Sequence, residues 1–119
     1  MDRKALVRRY QETPRPAGVY QILNTQSGKL LLGLSFNLAG ALNRHRFQLE
    51  NGMHPDKELQ ADWNRLGASS FTFETLDVLK LSDDLDYDPS EDLRTLKALW
   101  LEKLTASAVP LYRQSGRDA

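Results

Sequence analysis

The spacing of apolar and polar positions divides the chain into helical and extended stretches separated by proline, glycine and asparagine. Residues 2–11 have helical composition, and "TPRPAG" at 13–18 ends that element with two prolines and a glycine. "GVYQILN", rich in β-branched and aromatic residues, reads as a strand, and "TQSG" supplies a turn into the returning strand "KLLLG". Residues 18–33 are therefore expected to form a β-hairpin, and the unbroken run Leu30 to Leu32 predicts a second strand buried on both faces. Asn37 is placed to cap a helix whose one face carries Leu38, Ala41, Leu42, His45 and Leu49, with Gly52 at its C-terminal turn. Pro55 is expected to open a second helix in which Leu59, Trp63 and Leu66 are spaced four and three apart, closing at Gly67. "SFTFETLDVLK" alternates and predicts a third strand. Asp88-Pro-Ser-Glu91 has a capping-box pattern at the head of a last helix over about residues 89–107. Leu93, Leu96, Leu99, Trp100, Leu101 and Leu104 give that helix apolar residues on nearly every side, so it is expected to be central and buried.

The predicted order is α-β-β-α-α-β-α. It describes an α+β fold in which a small three-stranded antiparallel sheet is flanked by helices. A chain of 119 residues fits one domain over 1–119 with a core that needs no staples. With no cysteine, disulfides and thiolate metal sites are excluded. No run reaches the length of a membrane span, and "MDRKALVRRY" lacks a hydrophobic signal core, so the expectation is a cytoplasmic protein without membrane attachment.

The formal net charge is zero, which argues against coating nucleic acid by bulk charge. The charges are nevertheless uneven: Arg3, Lys4, Arg8 and Arg9 lie near the start, Arg44 and Arg46 lie mid-chain, and Asp83, Asp84, Asp86, Asp88, Glu91 and Asp92 cluster late. One basic face and one acidic edge fit this distribution, as do ordinary solvated charges.

Several motifs stand in a shared order: "GVY" at 18–20, Gly33 at the end of the second strand, "NL" at 37–38, His45, the phrase "LQADWNRLGASSFTFETLDVL", and a late "LE" and "P.Y" between 101 and 112. In this order and spacing the chain resembles the GIY-YIG nuclease superfamily, over a core of residues 18–112. The resemblance implies hydrolysis of a phosphodiester with a divalent metal, Mg²⁺ or Mn²⁺. In that chemistry a tyrosine and water act at phosphorus, an arginine binds the non-bridging oxygens, and a glutamate holds the cation. Charge builds on the phosphoryl oxygens in the transition state, which is why a fixed guanidinium and a metal help.

Carried over residue by residue, Tyr20 matches the tyrosine of the first half-motif; spacing alone favours a strand aromatic packing on the core, and the resemblance turns the preference to a site position. Leu31 stands where the second tyrosine would be, and Ala41 where the arginine would lie. The late asparagine is replaced around Arg113. Glu102 falls at the position of the metal-binding glutamate, or is a surface glutamate with a basic partner. His45, four residues after Ala41, is either a hydrogen-bonded core residue or a proton carrier. Arg44, three positions after Ala41, leans back toward it and is the candidate replacement for the guanidinium. Tyr20, Ala41, His45 and Glu102 are expected to line one concave surface, with Lys29, Arg44 and Arg46 supplying phosphate contacts at its mouth. Opposite placement of Tyr20 and Glu102 would remove the site that the nuclease-derived readings need.

Three functions follow as expectations. The first is a degenerate nuclease-like domain that binds nucleic acid, with DNA the expected partner, and has weak or absent cleavage. The second is an active Mg²⁺-dependent endonuclease using Tyr20, Arg44, His45 and Glu102. The third is a protein-interaction module, which the zero net charge favours.

Overall fold

The computed structural model describes residues 16–79 and 89–112. The helix expected over 2–11, the acidic residues 83–88 and the position of Arg113 lie outside the described residues. Within them the order is β1 (Gly18–Asn24), β2 (Leu30–Ser35), α1 (Leu38–Glu50), α2 (Lys57–Leu66), a short 3₁₀ turn (Ala68–Ser70), β3 (Phe71–Val78) and α3 (Ser90–Ala106). The sheet is antiparallel with order β2-β1-β3, so β1 is central. This is the α+β arrangement expected from the sequence.

Local chemistry explains most element ends. The Asn37 side chain accepts from the backbone N–H of Gly40 and caps α1, and Gly52 follows Asn51 at a φ of 69°. Asp56 caps α2, its side chain accepting from Glu58 and Leu59 N–H, so the helix begins at Lys57 and Pro55, expected to open it, stands just before the cap. At Gly67 a φ of 90° ends α2 in backbone space that favours glycine. The hairpin turn is held by Asn24, whose side chain accepts from the N–H groups of Gln26 and Ser27.

Alternation along β1 sends its side chains to two different layers. Ile22 packs with Leu49 of α1, Leu59 and Trp63 of α2, and Phe71, while Tyr20 packs with Leu38 and Ala41 of α1. Val19 points the other way, with Leu30 and Leu32 of β2, against Leu96, Trp100, Leu101 and Leu104 of α3. The sheet is thus covered by α1 and α2 on one face and by α3 on the other. β2 has both faces covered, as its apolar run suggested: Leu30 and Leu32 face α3, and half-buried Leu31 faces Tyr20 and Ile22.

α3 departs from expectation. Only Leu93 is fully buried on it, and Ala98, Leu99, Glu102, Lys103 and Thr105 are exposed. A three-stranded sheet offers α3 one surface to cover, and nothing among the described residues packs over its outer side. Trp100 is half-buried rather than central; its indole N–H donates to Asp77 Oδ2 at 3.1 Å.

Candidate functional site

On the α1 face of the sheet, Tyr20 reaches His45, and His45 reaches His54, through two short hydrogen bonds of 2.7 and 2.8 Å. Gly33 makes room for this. It sits opposite Tyr20 across the β1–β2 ladder, and a Cβ there would collide with the Tyr20 ring and hydroxyl. Four residues before His45, Ala41 is 3% exposed and packs against Tyr20.

The direction of the proton chain follows from one backbone group. The N–H of Asp56 donates to His54 Nδ1 at 3.0 Å, so that nitrogen carries no proton. His54 therefore holds its proton on Nε2 and donates to His45 Nδ1. His45 in turn holds its proton on Nε2 and donates to the Tyr20 oxygen. In this arrangement His45 is a donor to Tyr20, not a base that takes its proton.

Burial, seconded by the neighbouring His54 and then the Arg44 guanidinium, pushes His45 down to about 4, which keeps the chain neutral near pH 7. Burial lowers His54 as well, partly opposed by Asp56. His54 is held from its other side: its backbone N–H donates to Gln60 Oε1 at 3.0 Å, and Gln60 Nε2 donates to the Leu49 carbonyl at 3.0 Å. This ties the loop between α1 and α2 to both helices. Sequence reasoning misses His54 and Gln60. The signal it offers is a second histidine in a short interhelical loop, nine residues after the first, and that specifies no contact by itself.

The remaining expected residues divide. Arg44 is exposed and near enough to lower both histidines. Arg46 is exposed, with its guanidinium 4.6 Å from the Phe73 ring centroid. Lys29 is committed elsewhere: its ammonium pairs with Glu58 at 2.6 Å and lies over the Tyr112 ring.

Glu102 does not join Tyr20, contrary to the expected common concave surface. It belongs to α3, which covers the opposite sheet face. There it lines a groove of about 380 Å³ with Asp77, Leu96, Leu99, Trp100 and Lys103. The physical reason is strand alternation. The residues of β1 that face α3 are Val19 and its period-two partners, and Tyr20 is one residue out of step with them. The residues of this groove do not fit a metal acting with Tyr20. The neighbouring carboxylate, Asp77, is engaged by Trp100, and the Lys103 ammonium lies 5.1 Å from the Trp100 ring centroid, bringing a positive charge into the groove. Among the described residues, no cluster of three or more His, Cys, Asp or Glu side chains is arranged to hold a metal ion. No helix among the described residues is long and apolar enough to cross a membrane.

No protein-family model matches the sequence, and no curated protein matches it either. Solved structures do. The catalytic domain of the intron endonuclease I-TevI, in a mutant form, is 24% identical with a TM-score of 0.64 over 87% of this chain and 96% of that one. A second structure, of the catalytic domain of homing endonuclease I-TevI, is 26% identical with a TM-score of 0.61 over 79% of this chain and 94% of that one. Element order, sheet and coverage agree on one conclusion: the chain has the fold of a GIY-YIG nuclease catalytic domain.

Proposed function

We propose that this protein is a nuclease-like domain that binds nucleic acid beside the Tyr20–His45–His54 chain and cleaves strands weakly or not at all. The likeness to a homing endonuclease catalytic domain supports a nucleic-acid partner. The observation that carries the loss of cleavage is the packing around Tyr20. Leu38, Ala41, Leu31 and Leu42 close against it, where the resemblance calls for a guanidinium and a second hydroxyl. The separation of Glu102 from Tyr20 costs the active-enzyme reading its metal ligand. Binding then rests on Arg44, with Arg46 beside it, as exposed cations on the Tyr20 side of the sheet. Loss of one transition-state contact typically costs about 10²- to 10³-fold in rate, and this site lacks more than one.

A salt titration and a nicking assay test the reading together. DNA affinity should fall steeply with salt, and Arg44→Ala should flatten the slope by about one phosphate contact. Supercoiled plasmid in Mg²⁺ or Mn²⁺ should be nicked no faster by wild type than by Glu102→Ala. Robust wild-type nicking abolished by both Glu102→Ala and Tyr20→Phe would instead establish the active enzyme. Absence of any salt-sensitive DNA binding would favour the interaction module.

A further inference from the structure

Five large apolar side chains stand exposed among the described residues, and three of them lie on α1 or just beside its ends. Phe36 precedes the helix cap at 49% exposure, Phe47 lies in its last turns at 58%, and Met53 follows it at 56%. A single exposed apolar residue needs no explanation. On α1 the setting differs. The buried side of the helix is already supplied by Leu38, Ala41, His45 and Leu49, so Phe47 serves no part of the core. Arg44 lies three residues before Phe47, on the same side of the helix and about 4.5 Å away along its axis. Arg46, one residue back, is turned toward the sheet with its guanidinium over the Phe73 ring, and the first acidic residue of α1 is Glu50 in its final turn. An exposed aromatic with a guanidinium one turn away is the combination that takes an unstacked base and its phosphate.

We infer that the Phe47–Arg44 face of α1 is a stacking platform for single-stranded or unpaired nucleotides. This rests on the nucleic-acid reading above and narrows its substrate class. Duplex DNA keeps its base faces stacked inside the helix and presents phosphates and base edges, so it uses the arginines and leaves Phe47 idle. Unpaired nucleotides present a π-face as well, which every base has, so the platform is tolerant of sequence. A second copy of this chain is a poorer occupant. A twofold contact through this face would bring Arg44 toward its own copy.

The test compares labelled oligo(dT), oligo(rU) and a hairpin duplex by fluorescence anisotropy at low salt, with wild type, Phe47→Ala, Phe47→Trp and Arg44→Ala. Phe47 is exposed, so its variants should unfold at the wild-type urea midpoint. Wild type should prefer the single strands. Phe47→Ala should weaken that binding roughly 5- to 100-fold and leave duplex binding nearly unchanged, and Phe47→Trp should restore it. The dT and rU arms read whether DNA and RNA share the platform, and the loss in Phe47→Ala on whichever binds supports it. If Phe47→Ala binds single strands like wild type while Arg44→Ala still flattens the salt slope, the platform is wrong and the nucleic-acid reading stands. If no probe binds, both fall. If Phe47→Ala instead converts a dimer to a monomer in sedimentation, the face is a self-contact and the platform is overturned.

Discussion

Lowering the pH from neutrality should destabilise this fold through His45. His45 sits at about 4 in the folded protein against 6.5 when free of burial, so between those values the unfolded chain binds the extra proton. Stability is therefore fully present above 6.5 and is lost as pH falls from there toward 4. Worked through the linkage relation, His45 alone removes about 2 kcal/mol between pH 7 and pH 5. His54, lowered mainly by the same burial, adds a loss of the same sign. Asp62 has a linkage of the same sign in a lower pH window. Its carboxyl is held below 3.8, chiefly by the Tyr112 hydroxyl, so its contribution is intact throughout this window and is lost only at lower pH. The assay is urea unfolding followed by tryptophan fluorescence at pH 7, 6 and 5, in wild type and His45→Gln. The glutamine amide can donate to the Tyr20 oxygen and accept from His54, so the chain is kept while its titration is removed. Between pH 7 and 5 the wild-type midpoint should fall by about 1 M more than that of the variant. Equal losses in the two proteins, or no loss in either, would refute a buried neutral His45.

Gly33→Ala should destabilise the domain by about 1–3 kcal/mol and displace Tyr20, because the new methyl meets its ring and hydroxyl; urea midpoints and the Tyr20 ring resonances read both effects. Tyr112→Phe should cost about 2 kcal/mol in the same unfolding assay. It removes the hydroxyl that donates to Asp62 at 2.7 Å and accepts from the buried Asn24 side chain at 3.0 Å. A midpoint unchanged in Tyr112→Phe would show that this network is not holding the Tyr112 segment to the hairpin.

Much of the fold was legible because turns and caps act over a few residues. The Asn37 side chain satisfies the Gly40 N–H of α1 from three positions away, and Gly52 and Gly67 take backbone angles that other residues avoid, so these ends are written locally. The hairpin is likewise a matter of adjacent segments, and the α1 stripe of Leu38, Ala41, His45 and Leu49 needed only helical periodicity. Tertiary packing decided the rest. The apolar residues of α3 are compatible with a helix buried all round or lying on a single surface. Only the three-strand sheet, with β1 already central, determines that the outer side stays exposed. Which face α3 covers depends on the one-residue phase between Val19 and Tyr20, and that phase separates Glu102 from Tyr20 although both stood in motif order along the chain. The contact of His54 with His45 depends on how the interhelical loop folds back onto Gln60, and the proton's place on each ring depends on the backbone N–H of Asp56. Residue identity supplies groups able to ionise or bond; their burial and facing partners, which set protonation and direction, exist only once distant segments have packed.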